Sequence, residues 1–284
     1  MHNHISRPLD TPSAAAWHWL KAFRAKSPQA TESSVGSEFV AKSAPDGHTL
    51  LFSSGSSIVM NPFLYKNLPY DSLRDFIPVT KADISPLMLV VHPSLPVKSV
   101  AELVAYSRAN PGKLNYGSGG VGATPFLATE LMKSLADFDA VHVPYKGGAP
   151  ALADLVAGQL SFMIENVPGT LPFVKDGKLR ALAVTETHRS TLVPDLPTMQ
   201  EAGVKGYEVI GWNGLFAPAR TPPEILARLG RDLARVLASP AMKEQMGKLG
   251  AEPGTLEARS FADFVKAESA RWGKIIKRAN IRLE

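Results

Sequence analysis

The chain of 284 residues contains no cysteine. That excludes disulfides, thiol catalysis and cysteine-ligated metals. There is no run of 18 apolar residues, so nothing reads as a membrane-spanning helix. Catalytic signals are equally scarce: no G-x-S-x-G elbow, no H-E-x-x-H, and no Gly-Lys-Ser/Thr after a glycine loop. His2, His4, His18, His48, His92, His142 and His188 show no ligand spacing beyond the pair His2 and His4. They read as scattered surface or satisfied side chains, and neither a metal nor a cofactor is expected. Lysine and arginine form no block, so the net charge of +5 reads as a mildly basic solvated surface rather than a nucleic-acid footprint.

The first 34 residues lack something else. They hold one isoleucine, no valine and no glycine. The segment Ala14 to Leu20 is short, is interrupted by His18 and is followed by Lys21 and Arg24, which makes a poor secretory signal. The composition predicts a mostly disordered tail with a turn or two of helix around Ala14 to Arg24.

What is present is an apolar fraction of 45% with 20% charged residues, enough to build a packed core. From Val35 onward the pattern is organised. "SEFVAKSAPDG" predicts a helix stopped by turn chemistry at Pro45-Asp46-Gly47. "HTLLFSS" predicts a strand, and "SGSSIVMNPFLY" a loop that is small and polar, then apolar. "PLMLVVHP" predicts a buried strand bounded by prolines. "SVAELVAYSRANPG" carries a capping box, with Ser99 as N-cap and Glu102 three residues on. "KLNYGS", "DAVHVPYKG", "LSFMIEN" and "LRALAVT" predict strands, and "TPFLATELMKSLA" and "APALADLVAGQ" helices between them. This alternation predicts parallel βαβ units. After "GYEVIGWNGLFAPA" the chain turns helical, with Thr221 as the expected cap and Pro222 at the first helical position. In the last helix Phe261, Phe264, Val265, Trp272, Ile275 and Ile276 share one face, which Glu268 interrupts.

"NYGSGGVGATPF" carries the main chemical signal. Gly117, Gly119 and Gly122 fit G-x-G-x-x-G. A dinucleotide site also needs an acidic residue at the end of the next strand, and here that strand ends in Tyr145 and Lys146. The nucleotide reading therefore fails its second requirement. A glycine loop feeding a helix still offers free N–H groups and the positive end of a helix dipole, with Thr124 as expected N-cap and Pro125 at N1. Such a site suits a carboxylate as well as a phosphate. A plain strand-to-helix turn remains open beside it.

Six blocks in order carry a family likeness: "EFVAKSAPDGHTLLF", "NPFLYKNLPYDSLRDFIPVT", "KLNYGSGGVGATPFLATEL", "VHVPYKGGAPALADLVAGQLSFMIENVPG", the stretch from "GKLRALAVT" through "RSTLVPDLPTMQEAGVKGYEVIGWNGLFAPARTPPEILARL", and "FADFVKAESARWGKIIKRANI". From about Val35 to Ile281 the chain closely resembles the extracytoplasmic solute receptors of the tripartite tricarboxylate transporter, the Bug-type proteins. The resemblance implies an α/β fold of two lobes like a type II periplasmic binding protein, with mostly parallel sheets flanked by helices. It implies a non-enzymatic, monomeric receptor in the periplasm that closes on a small organic carboxylate and delivers it to membrane permease subunits.

Lobe limits on this reading are residues 109–215 for the central lobe, and 35–108 with 216–284 for the outer lobe. The ligand-gripping positions carried over are Ser53, Ser54, Ser56 and Ser57 after the first strand, and Gly117, Ser118, Gly122, Ala123 and Thr124 in the glycine loop. Tyr145, Lys146, Gly147, Glu165, Asn166 and Trp212 complete the set. The chain departs from the family pattern at Ala123, where a hydroxyl residue is usual, at Phe126, where His is frequent, and at Glu165, where Asp is commoner. It also lacks the family's opening strand and its Gly-rich loop before Val35, so the outer lobe is expected to be incomplete. Residues 1–34 are then expected to arise from a misassigned start or a reading-frame error. Two rival readings stay open, a nucleotide- or phosphate-using enzyme on a doubly wound sheet and the ligand-sensing half of a regulator.

Overall fold

Two sheets, joined where the chain crosses between them, carry the structure, a computed structural model that describes residues 32–248, 250–254, 258–278 and 281. The expectations placed on residues 1–31 lie outside the described residues. The first helix, α1 (Glu32–Ala41), begins inside the segment expected to be a tail. Only Gly36 interrupts it, and a helix tolerates one glycine at a cost of roughly 1 kcal/mol.

The first sheet contains β1 (Leu51–Ser54), β2 (Phe76–Ser85), β8 (Gly211–Pro218) and β9 (Glu252–Pro253) in the order β1-β8-β2-β9. Every pairing in it is antiparallel. The second sheet contains β3 (Leu87–Val91), β4 (Asn115–Ser118), β5 (Val141–Pro144), β6 (Phe162–Asn166) and β7 (Arg180–Val184) in the order β5-β4-β6-β3-β7. Here β4 runs parallel to β5 and β6, while β3 is antiparallel to β6 and β7. The class is α/β as expected, but the expectation of mostly parallel sheets is corrected. Alternation of strands and helices sets their order, not their direction, and a strand that enters from the other sheet comes in reversed.

The same topology corrects the lobe limit placed at residue 109. β3 and the helix after it, α3 (Val100–Ala109), precede that limit, yet β3 pairs with β6 and β7 in the central sheet. The chain changes sheets at Pro86, between Ser85 of β2 and Leu87 of β3. Residues Leu87 to Val91 are all buried, as a continuous apolar run bounded by prolines requires.

The helices that flank the central sheet are α4 (Thr124–Ala136), α5 (Gly148–Val156) and α6 (Val167–Lys175). On the other side lie a π-helical turn (Ser56–Met60) continued by α2 (Asn61–Leu64), then α7 (Pro223–Ala238), α8 (Pro240–Lys248) and α9 (Ala258–Arg278). The loop expected over Ser54 to Tyr65 is therefore helical from Ser56 to Leu64, and all five residues of its π turn are buried. The capping box of α3 holds: Glu102 N donates to Ser99 Oγ at 3.1 Å. Thr221 does not cap α7. Its Oγ1 donates to Pro218 O at 2.7 Å, and Pro222, kept extended by the proline that follows, is the N-cap. On α9, Phe261, Val265, Trp272 and Ile276 are buried, with Phe264 and Ile275 packed beside them. Glu268 interrupts that stripe to good purpose, since its Oε2 accepts from Trp272 Nε1 at 3.2 Å.

Candidate functional site

Because β4, β5 and β6 are parallel, their C-terminal ends share one edge of the central sheet. That edge also holds the start of β3, where Leu87 faces Asn166, so it is the edge next to the crossing between sheets. Three loops leave it: Gly119 to Ala123 after β4, Tyr145 to Gly147 after β5, and the turn from Glu165 and Asn166 into α6. Ligands of open α/β sheets bind at such strand ends.

The loops touch one another. Tyr145 N donates to Ser118 O at 3.0 Å. A Cβ on Gly119 would stand 3.0 Å from Gly148 N, so glycine there permits two loops to lie against each other. Gly120 and Gly122 take φ of +124° and +84°, which side chains disfavour. A Cβ on Gly148 would meet Glu165 Oε2 at 2.5 Å, placing that carboxylate against the start of α5.

The glycine loop enters α4 differently from expectation. Thr124 is already helical and the N-cap is Ala123, extended at φ −69° and ψ 151°, with no side chain to cap. The first N–H of this helix to reach a carbonyl is that of Leu127, on Ala123 O at 3.1 Å. The opening N–H groups of α4 are thus left for a ligand or water.

Individual residues have definite partners. Ser118 is fully buried, with its Oγ 2.7 Å from His142 Nε2. Tyr145 donates to Asp154 Oδ2 at 2.7 Å, which pushes its pKa up to about 12. Lys146 is exposed. Glu165 is 7% exposed, and its Oε1 accepts from both the backbone N and Nδ2 of the exposed Asn166, at 2.9 and 2.8 Å. Burial raises its pKa above the usual carboxylate range, against the pull of those two bonds.

In the first sheet, Ser53 and Ser54 end β1, and Ser54 Oγ lies 3.0 Å from Ser56 Oγ and 3.1 Å from Ser57 Oγ. Ser53, Ser56 and Ser57 are buried. Trp212, near the start of β8, leans on Gly55, where a Cβ would come within 2.4 Å of the indole. Its ring meets Phe261 and Phe264 edge-on at 5.6 and 5.4 Å. It is therefore packed into the core, and its buried Nε1 has no partner. Asn61 Oδ1 is likewise buried without a partner.

Sequence reasoning missed Tyr65 and His142. Tyr65, at the end of α2, donates to Val121 O at 3.5 Å and so joins the serine side to the glycine loop. Nothing local marked it, because its partner lies 56 residues away. Among the described residues no group of three or more His, Asp or Glu could hold a metal.

A model of the family described as "Tripartite tricarboxylate transporter family receptor" matches residues 27–281. Protein BugT of Bordetella pertussis is 34% identical over 251 residues, 88% of this chain and 77% of that protein. Among solved structures, an R. palustris protein with adipate aligns with a TM-score of 0.82 at 38% identity, covering 89% of this chain and 85% of the other. MatC from Rhodopseudomonas palustris with bound malate aligns with a TM-score of 0.78 at 31% identity, covering 86% and 84%.

Proposed function

The chain belongs to the tripartite tricarboxylate transporter family of receptors, and on that premise we propose that it binds a small organic carboxylate in the cleft between its two sheets. The observation that carries this reading is the entry to α4: a glycine loop at the shared strand edge feeding a helix whose first N–H groups have no cap. A carboxylate there gains roughly 0.3–1 kcal/mol from the helix dipole. Each charge-assisted hydrogen bond adds about 1.5–3 kcal/mol. The serine cluster at the end of β1 supplies hydroxyl donors on the opposite wall, and the Tyr65–Val121 bond keeps the two walls in register. Adipate and malate in the two solved relatives are dicarboxylates, which suits a site with donors on both walls. In this role the protein works outside the cytoplasmic membrane and hands its ligand to membrane permease subunits.

Thermal-shift and calorimetric titration with adipate, malate, citrate, succinate, glutamate and benzoate test this. At least one should raise the melting midpoint, since ligand at 100 times its Kd stabilises by about 2.7 kcal/mol. Flat midpoints for every carboxylate, in a sample shown to be folded, would overturn the proposal.

A further inference from the structure

One hydroxyl braces the glycine loop from below. Gly120 N lies 3.3 Å from Ser118 Oγ, Gly120 O lies 3.2 Å from it, and His142 Nε2 lies 2.7 Å away. A serine hydroxyl has one proton and two lone pairs. The Gly120 N–H occupies one lone pair. The Gly120 carbonyl can only accept, and in the arrangement in which Ser118 donates to it the proton lies there. The second lone pair faces His142, and its Nε2 must then carry a hydrogen. The other tautomer would draw the serine proton towards the imidazole and away from Gly120 O, leaving that carbonyl only the longer bond from Ala123 N at 3.3 Å.

The imidazole is held for this task. Tyr116 stacks on it with ring centres 4.8 Å apart, and the Phe126 ring is tilted against it at 4.7 Å. Tyr116 in turn donates to Glu130 Oε1 at 2.6 Å, an oxygen that Lys133 Nζ also meets at 3.0 Å. Lys133 further pairs with Asp139 at 3.4 Å. Burial holds the His142 pKa below its ordinary value. Glu130 pulls it up and Lys133 pushes it further down, so the ring is neutral at neutral pH.

We propose that His142 is a positioning residue of the carboxylate site: its Nε2–H fixes Ser118, and Ser118 fixes Gly120 so that the loop presents its N–H groups to the ligand. The inference rests on the reading of this loop as one wall of that site. No ligand contact by His142 is involved.

Two substitutions separate the bond from the packing. His142→Phe keeps an aromatic ring against Tyr116 and Phe126 and deletes the donor. His142→Gln restores a donor at similar reach. With adipate and malate as probes in calorimetry, His142→Phe should weaken binding about tenfold or more, the loss of one such bond. His142→Gln should stay within about threefold of the natural protein. Ser118→Ala should match His142→Phe, and the double variant should be no weaker than either, because both cut one relay. Binding by His142→Phe within about twofold of the natural protein would overturn the proposal, as would a His142→Gln variant as weak as His142→Phe. A second measurement needs no ligand and no variant. Long-range proton–nitrogen spectra of the natural protein should show His142 as the Nε2–H tautomer, and the Nδ1–H tautomer would refute the relay. Failure of the natural protein to bind any carboxylate counts against the receptor reading alone, since the tautomer still decides the relay.

Discussion

Trp212 lies against a position with no Cβ. Replacing Gly55 by Ala drives a methyl to within 2.4 Å of the indole, and the ring is hemmed in by Phe261 and Phe264. Overpacking of this kind costs about 1–3 kcal/mol. Gly55→Ala should therefore lower the urea midpoint, and adding Trp212→Phe should recover part of the loss, because the smaller ring makes room. Additive losses in that double-mutant cycle would show that the two residues do not press on each other. Glu165 offers a test by pH. Its folded pKa is raised by burial, so between its ordinary value and the raised one the folded state binds more protons than the unfolded. Stability contributed by this group must then fall as pH rises through that window. Glu165→Gln should flatten the dependence, melting like the natural protein near pH 4 and above it at pH 8 by on the order of 1–3 kcal/mol. A natural protein whose stability rises over that window because of Glu165 would contradict the sign. Residue chemistry of this sort is only half legible in sequence. Glu165 and Trp212 stand out as types, but their burial depends on neighbours such as Gly148 and Gly55 that only the fold supplies.

At the scale of elements, sequence reasoning succeeded where the signal is local and failed where it is not. The capping box of α3, the buried strand β3 and the apolar stripe of α9 are each written within a single element. The start of α4 is not, because a threonine before a proline reads as a cap until the backbone shows Thr124 already helical. That error yields a prediction. Ala123 holds the extended angles of an N-cap, so Ala123→Ser should place an acceptor for the Phe126 N–H and add about 0.5–2 kcal/mol of stability, seen as a higher melting point. An unchanged or lower melting point would mean that this N–H is already satisfied. Glu268 is the counterpart within a helix. On sequence it breaks the stripe, whereas in the structure it accepts from the buried Trp272 indole and from Arg271 at 3.0 Å. Glu268→Ala should cost about 1–3 kcal/mol through the orphaned N–H, and Glu268→Gln, which keeps an acceptor, much less. Equal losses in the two variants would assign the effect to charge instead.

The whole molecule is organised by two crossings laid side by side. One runs through Pro86 into β3, and the other returns through Val209 into β8. Thr185, just past the end of β7, clamps both: its N donates to Leu87 O at 3.0 Å, its Oγ1 to Val209 O at 2.8 Å, and it accepts from Val209 N at 3.0 Å. The strand order could not be read from alternation along the chain, because β2 and β8 pair across 126 residues or more. In the structure Gly211 faces Ser85 in the register, and a Cβ there would stand 2.5 Å from Ser85 O. That neighbour is backbone at a crossing, so it has no rotamer through which to yield. Gly211→Ala must spread the two crossings, at a cost of about 1–3 kcal/mol. In the receptor role proposed above, closing one sheet's loops on the other's would turn about this same pair of crossings. The substitution should therefore both lower the melting point and weaken carboxylate binding, while leaving contacts within each wall of the cleft intact. Small-angle scattering with and without a saturating carboxylate then separates the two effects, since a spread hinge changes the radius of gyration of the ligand-free protein and a simple loss of stability does not. A Gly211→Ala protein with unaltered melting, affinity and radius would show that the crossings tolerate separation and that the hinge lies elsewhere.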